Sequence, residues 1–371
     1  MKIAYFIGTL KKEDGATRVL LALICEAQKK GIESVIVTGW AEDESISPVP
    51  IIQVPAIIFP FYKEYRLPLP GMRGFKKQLD EFKPDILHVH SPDTSAWAAL
   101  KYSKKRQIPI IATYHTDFVS YLTYYHLSYL RSAVWFLLRR LYTRMSFVTT
   151  PSQIVSDELS SRGVSNIKTI PWGVDITKFN SSFRSLEWRQ QILQGDNKMI
   201  LLCVGRLTWE KNLRIVATTY NLLRERRSDF VMVVAGDGPA RQELEALMPG
   251  ATFLGHIEGV ELSTTYASSD ILLFPSSTET FGNVTIEAIA SRLVPVVADA
   301  GGSKSLVRYG ENGFLARPND SEDFYKKVEL LLDDQMLRKQ MQESGWKFVE
   351  NFTWEKVFGS FLQIYQKLLI K

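Results

Sequence analysis

The sequence predicts an α/β protein made of two doubly wound domains, each a mainly parallel sheet covered by helices. Three observations carry this reading. Short apolar runs alternate with helix-patterned stretches along the first half of the chain. The same rhythm restarts after a polar, irregular stretch at 180–197. The length, 371 residues, exceeds what one core commonly serves and points to about two domains.

In the first half, strands are expected at 3–7, 34–37, 85–89, 108–113, 147–149 and 167–170, with helical stretches between most of them. The opening run Lys2-Ile3-Ala4-Tyr5-Phe6-Ile7-Gly8 is too short for a signal peptide. It runs into Lys11-Lys12-Glu13-Asp14 without cleavage-like small residues, so it reads as a first strand. In the second half, 199–204, 230–235, 271–275 and 294–297 read as strands, and 212–224, 241–247, 284–291 and 322–332 as helices. Residues 353–369 form an amphipathic helix with Trp354, Phe358, Phe361 and Tyr365 as aromatic anchors. Two such domains placed face to face would put their strand C-termini on either side of one cleft.

A composition of 45% hydrophobic and 23% charged residues is that of an ordinary soluble globular protein. The two cysteines, Cys25 and Cys203, lie in different halves, which favours a reducing, cytoplasmic home and gives no thiol metal site. No uncharged apolar run reaches membrane-spanning length. Residues 1–180 carry 23 Lys and Arg against 16 Asp and Glu, a net +7, while the remainder carries 22 against 24, a net −2. No nucleic-acid-binding module accompanies that basic half, so no nucleic-acid partner is expected. Instead, residues 118–144 hold Tyr121, Tyr124, Tyr125, Tyr129, Trp135 and Phe136 among Arg131, Arg139, Arg140 and Arg144. Two readings stay open: a surface for anionic lipid, or an amphipathic core helix with a solvated basic face.

The most informative stretch is Ser276-Ser277-Thr278-Glu279-Thr280-Phe281-Gly282-Asn283-Val284-Thr285-Ile286-Glu287. It reads as the end of a strand, a loop and a helix N-terminus. Backbone N–H groups at Phe281, Gly282 and Asn283 would face an anion, and the two carboxylates would accept from vicinal hydroxyls, which suits a sugar on a diphosphate. The plain alternative is a surface helix with two solvated glutamates. After the first strand of the second half, Arg206 and Lys211 flank a turn opened by Gly205, where two cations could neutralise a diphosphate. Gly238, in Gly236-Asp237-Gly238-Pro239, frames either a tight turn or a nucleotide pocket. The run 253–257 offers main-chain groups, ending at Ile257, to a base edge. In the first half, Gly15 opens a helix after the first strand, and His115 stands at the end of another strand. His88 and His90, alternating along one strand, read as structural, and no histidine has a metal-ligand neighbour at the right spacing.

These motifs, in this order, resemble the retaining glycosyltransferases of family 4, which have the GT-B fold. The resemblance runs over nearly the whole chain: Asp14 to Arg18, Thr113 to Phe118, Pro151-Ser152, Gly173-Val174-Asp175, Gly205 to Asn212, Gly236 to Pro239, the Glu279/Glu287 pair and Phe352-Thr353-Trp354-Glu355. It implies an N-terminal acceptor-binding domain at 1–180, joined by a crossover helix at 353–371, and a C-terminal donor-binding domain at 181–352. Arg206 and Lys211 would hold the diphosphate, Glu287 the ribose hydroxyls and Glu279 the transferred sugar. Phe281, Gly282 and Asn283 would add contacts, Gly15 would approach the phosphate, and His115 would line the reaction centre. Within the family the chain looks most like transferases of mannose or sulfoquinovose that modify diacylglycerol lipids. That implies a GDP- or UDP-linked donor, a lipid or glycolipid acceptor, retention of configuration, no metal or other cofactor, and a place at the inner membrane face. A soluble saccharide or small-metabolite acceptor is the alternative, and a non-catalytic sugar-nucleotide-binding protein a third reading. One departure is Asp14-Gly15 where many members have Gly-Gly.

Overall fold

The computed structural model describes residues 1–12, 14–59, 62–69, 74–115, 119 and 128–370. The chain divides into two compact units, Met1–Gly173 with Trp354–Lys371, and Val174–Thr353. Of the residues and stretches given above, Glu13, Tyr121, Tyr124, Tyr125 and the 116–118 end of the stretch Thr113 to Phe118 lie outside the described residues.

The first unit holds a seven-stranded parallel sheet made from β1 (Lys2–Leu10), β2 (Glu33–Ala41), β3 (Ile51–Gln53), β6 (Ile86–Val89), β7 (Ile110–Thr113), β8 (Phe147–Thr150) and β9 (Ile167–Thr169). Their order is β3-β2-β1-β6-β7-β8-β9, which places the first strand at the point where the winding reverses. Strand β1 is buried along nearly its whole length, as its unbroken apolar run requires of a strand covered on both faces. A two-stranded antiparallel hairpin, β4 (Ala56–Phe59) with β5 (Tyr62–Pro68), accompanies the sheet. Both the hairpin and β3 escape sequence reading because Pro48, Pro50, Pro55 and Pro60 interrupt their runs.

The last helix, Trp354–Leu369, belongs to this first unit and buries Val357, Phe358, Phe361, Ile364 and Tyr365. Its Tyr365 hydroxyl lies 2.9 Å from His88 Nδ1, and His88 Nε2 lies 2.7 Å from Thr113 Oγ1. His88 is therefore a satisfied core histidine, as its position in a strand suggests. Gly173 meets the start of the helix so closely that a Cβ there would fall 2.6 Å from the Trp354 ring.

The second unit holds a six-stranded parallel sheet from β10 (Met199–Val204), β11 (Phe230–Ala235), β12 (Thr252–Gly255), β13 (Ile271–Phe274), β14 (Val294–Ala298) and β15 (Phe314–Ala316). Its order is β12-β11-β10-β13-β14-β15, again doubly wound. The four central strands match the four expected from sequence, and the two edge strands are the ones not anticipated. The stretch 180–197 is not an irregular linker throughout: it contains the helix Leu186–Leu193, capped by Ser185, whose side chain accepts from Trp188 N. Arg189 ties this helix to the sheet. Its guanidinium donates to Asp270 Oδ2 at 2.9 Å, to Ser268 O at 2.7 Å and to Lys198 O at 3.0 Å, while Ile200 N donates to the same Asp270 oxygen at 2.8 Å. The helix is short and half polar, and the Arg189–Asp270 ion pair adds to the packing of Leu193, Trp188 and Ile192 in holding it to the sheet.

The last helix allows apolar burial to be weighed against a hydrogen bond. Phe361→Ala is expected to cost about 3–5 kcal/mol through lost burial and the cavity left behind. Tyr365→Phe, which removes the hydroxyl that meets His88 and Tyr5, should cost about 1–2 kcal/mol. Denaturant unfolding of the two variants measures both, and equal costs would contradict this division.

Candidate active site

In the second unit the loops that follow β10, β11, β13 and β14 are packed backbone to backbone, and glycine makes that possible. Gly205 has φ +140° and Gly236 φ +142°; a Cβ at Gly236 would lie 1.9 Å from Gly205 O. Gly238 is in the same position relative to Leu207, whose carbonyl oxygen would stand 2.4 Å from its Cβ. Leu207 N donates to Asp237 O at 2.9 Å, and Ala240 N donates to Leu207 O at 2.9 Å. Loop packing therefore accounts for Gly238.

The turn after β10 ends at Lys211, and Asn212 follows in a left-handed conformation with φ +57° before the helix Leu213–Arg226 begins. The Asn212 side chain donates to Pro275 O at 3.1 Å and to Ser277 Oγ at 3.4 Å, joining this turn to the loop after β13. That bond places Lys211 beside Glu279: Nζ lies 2.6 Å from Oε1, with the two side chains 21% and 20% exposed. Ser276, fully buried, donates to the same oxygen at 3.1 Å.

A second pair of glycines supports the loop from behind. Gly302 N donates to Glu279 O at 2.6 Å, and a Cβ at Gly302 would fall 2.3 Å from Phe281 N. Gly301, at φ +61°, lies against Ser277 O, 2.7 Å from where its Cβ would be. The helix Asn283–Ala290 then starts from Gly282, at φ +99°, without a side-chain cap. A Cβ at Gly282 would come 2.4 Å from Ser303 Oγ. The Ala300-Gly301-Gly302-Ser303 run carries the sequence signal that could have found this support: paired glycines after an apolar strand mark close backbone approach.

A pocket of about 180 Å³ opens here, and among its lining residues are Arg206, Lys211, Glu279 and Asn283. Arg206 is exposed, while Cys203 forms part of the wall with a thiol that burial pushes up to about 12, so it stays protonated. The pocket thus collects two cations, one carboxylate and an uncapped helix start, a set that fits an anionic ligand carrying hydroxyls. Glu287, Gly238, Ile257, Phe281 and Gly282 are not among the lining residues. Glu287 is held from another side, its Oε2 accepting from the buried Tyr266 hydroxyl at 3.0 Å. Ile257 is buried just beyond β12, and the Phe281 ring is turned inward against Phe352, with centroids 6.5 Å apart. Any contact from Phe281 to a ligand is left to its backbone.

The other predicted residues belong to the first unit. Gly15 is the first residue of the helix Gly15–Lys29, capped by Asp14, which accepts from Thr17 N at 3.1 Å. A Cβ at Gly15 would meet nothing within 4 Å, so packing gives no reason for a glycine there. His115 is buried, stacked on Trp172 with centroids 5.3 Å apart, and its Nε2 lies 2.8 Å from His90 Nδ1. One proton is shared across that contact. His90 is therefore the neighbour of His115, which its place in another strand did not reveal. Burial pushes the His115 imidazole down to about 3, and burial, then the neighbouring histidines, holds His90 well below the usual range. His88 is lowered in the same way.

Two family models match the chain: one described as Glycosyltransferase Family 4 over residues 14–178, and one described as Glycosyl transferases group 1 over residues 185–348. The chain is 34% identical over 304 residues to the sulfoquinovosyl transferase SQD2 of Arabidopsis thaliana, an alignment covering 80% of this chain and 59% of that protein. It is 32% identical over 368 residues to a GDP-mannose-dependent alpha-mannosyltransferase of Corynebacterium glutamicum, covering 97% of this chain and 87% of that one. Among solved structures, Anabaena Alr3699/HepE in complex with UDP superposes with a TM-score of 0.82 at 17% identity, covering 99% of this chain and 100% of the other.

The buried histidines give the first unit a pH signature. Unfolded, they would take up protons below about pH 6.5; folded, they stay neutral to much lower pH. Stability is thus complete above that range and should fall as pH drops through it, by about 1.4 kcal/mol per pH unit for each histidine that stays neutral. Denaturant midpoints measured along an acid series should fall accordingly, and less steeply in His88→Gln. A midpoint indifferent to pH would contradict the assignment.

Proposed function

The chain belongs to glycosyltransferase family 4 and has two Rossmann-like units of the GT-B type, and on that premise we propose that it transfers a hexose from a nucleotide diphosphate sugar to a lipid or glycolipid. The observation that carries the reading is the meeting of Lys211, Arg206 and Glu279 at one pocket beside the uncapped start of the helix Asn283–Ala290. As the bond from sugar to phosphate breaks, negative charge grows on the departing diphosphate. Cations placed there act mainly on the transition state, so they raise the rate rather than merely tighten binding. Arg206 and Lys211 fill this role and do the neutralising that a divalent ion would otherwise do, so the reaction runs without a metal.

Glu279 accepts from hydroxyls of the transferred sugar. Glu287, oriented by Tyr266, accepts from the ribose. Gly282 and Asn283 supply backbone contacts, with Phe281 N–H beside them, and the main chain at Gly238 and Ile257 borders the nucleotide. Gly15 and His115 keep the roles that the family resemblance implies, a backbone contact with the phosphate and a wall of the reaction centre. His115 serves there as a neutral hydrogen-bonding group, since burial keeps it uncharged. The configuration at the sugar carbon is retained, the leaving phosphate taking the acceptor's proton. The donor is GDP- or UDP-linked, a choice supported by the mannosyl- and sulfoquinovosyltransferase relatives.

The helix Arg131–Tyr142 supports an acceptor met at an anionic membrane face. One side of it packs Trp135, Leu138, Leu141 and Tyr142 into the core, which takes Trp135 away from any interface. The other side exposes Phe136 and Leu137, at 61% and 53%, next to Arg139 and Arg140. Apolar side chains flanked by guanidinium groups suit an anionic interface. Among the described residues no helix is long and apolar enough to cross a membrane.

The chemistry is tested by incubating the protein with a panel of nucleotide sugars and membrane lipids and reading hexose-sized additions by mass spectrometry. Lys211→Ala should lower turnover by about 10²–10³ with the fold intact, the loss typical of removing one transition-state donor. Turnover should survive excess chelator. Full activity in the variant would remove the diphosphate assignment, and loss in chelator the metal-free one.

Membrane attachment is read separately, by sedimentation with anionic and neutral vesicles. The protein should pellet with the anionic ones, and replacing Phe136 and Leu137 by serine with Arg139 and Arg140 by glutamine should release it. Equal binding by that variant would place the lipid contact elsewhere.

A further inference from the structure

Lys211 and Glu279, assigned above to different parts of the donor, are each other's partner in this chain. Nζ stands 2.6 Å from Oε1 with both side chains about four-fifths covered. Held this way, the ammonium has its charge answered before any phosphate arrives. A ligand that takes Lys211 leaves a carboxylate behind, and that carboxylate would face the incoming phosphate oxygens. The resulting repulsion is relieved only if the ligand also brings hydroxyl donors to Glu279. A nucleotide sugar brings both groups; a bare nucleoside diphosphate brings only the phosphates.

Glu279 also has a second holder. Ser276, fully buried in the loop just after β13, donates to the same Oε1 at 3.1 Å. The Asn212 side chain holds both its neighbours, the Pro275 carbonyl and the Ser277 hydroxyl, so the Ser276 hydroxyl has a set direction. When Lys211 turns to phosphate, this bond remains.

We propose that the Lys211–Glu279 ion pair is a resident stand-in which the nucleotide sugar exchanges for two new pairings, and that Ser276 is the positioning residue keeping Glu279 in place during the exchange. The inference rests on the donor-site reading given above. It gives the site a preference for the sugar-bearing nucleotide over the bare one. It also gives a route to release. Once the sugar has left, Glu279 has lost its hydroxyl partners and recaptures Lys211, which loosens the hold on the nucleoside diphosphate product.

The test is calorimetric titration of the full chain with UDP, GDP, UDP-glucose and GDP-mannose. Glu279→Gln should bind whichever bare diphosphate the wild type binds about three- to tenfold more tightly, the worth of a partly exposed ion pair, and lose the preference for its sugar form. Ser276→Ala should weaken the sugar nucleotide by about threefold or more, raise donor KM more than it lowers kcat, and leave the bare diphosphate unchanged. Ser276→Thr should restore the sugar nucleotide. Glu279→Gln binding the bare diphosphate no more tightly than wild type would overturn the exchange. Should that variant fail to fold, equal losses of both ligands in Ser276→Ala would do the same. Failure of the wild type to bind any of the four would instead overturn the donor-site reading itself.

Discussion

The second unit's site depends on one close backbone contact. Gly302 N donates to Glu279 O at 2.6 Å, and the approach is possible only because no Cβ stands between Gly302 and the 280–281 peptide. That contact fixes the loop after β13 from behind, while Asn212 fixes it from the side. With the main chain held at two points, the Glu279 side chain has little choice of position. The contacts with Ser276 and Lys211 follow from it. The chemistry is then the consequence of a crowded strand-end region in which several loops share space that side chains would otherwise fill. Gly236 and Gly238 do the same between the loops after β10 and β11.

The electrostatic character of the pocket follows from that crowding. Packed loops leave backbone N–H groups at a helix start without a side-chain cap, and the cations beside them add to the same positive field. In the proposed reaction such a site acts on a leaving group and needs no carboxylate nucleophile; Glu279, the carboxylate among the described residues lining the pocket, already accepts from Lys211 and Ser276. The two glutamates differ in their supports, Glu279 on a lysine and a serine, Glu287 on a buried tyrosine. That difference fits two recognition tasks better than one shared acid–base step.

What was legible in the sequence follows the same physics. Strands β10, β11, β13 and β14 announce themselves because both faces are buried and every position is apolar. The edge strand β12 is only partly buried and ends at Gly255, β15 is three residues long, and β3 lies among prolines, so pattern alone does not mark them. The helix Leu186–Leu193 is only eight residues long and lies in a polar stretch, and its tie to Asp270, 81 residues away, leaves no local trace. Glu279, Glu287, Arg206 and Lys211 were visible as motifs, whereas their supports Ser276, Tyr266 and Gly302 were not. Supports are chosen by space and by a single hydrogen bond, and many residue types occur in such places. The contact between His90 and His115 needed the pairing of β6 with β7, and parallel register cannot be read from two separate runs.

The first unit is organised around a buried polar row, from Tyr365 through His88 to Thr113, with His90 and His115 adjoining. The helix Trp354–Leu369 takes part in this unit's core although the whole second unit, Val174–Thr353, separates it in sequence from the rest of the first. In the proposed reading a nucleotide sugar is held by the loops after β10 and β13 of the second unit. Amide hydrogen exchange with and without UDP-glucose or GDP-mannose tests it most directly. Slowed exchange at 205–213 and 276–287 in the presence of the bound ligand is the expected result, and binding that leaves both segments unchanged would contradict the account.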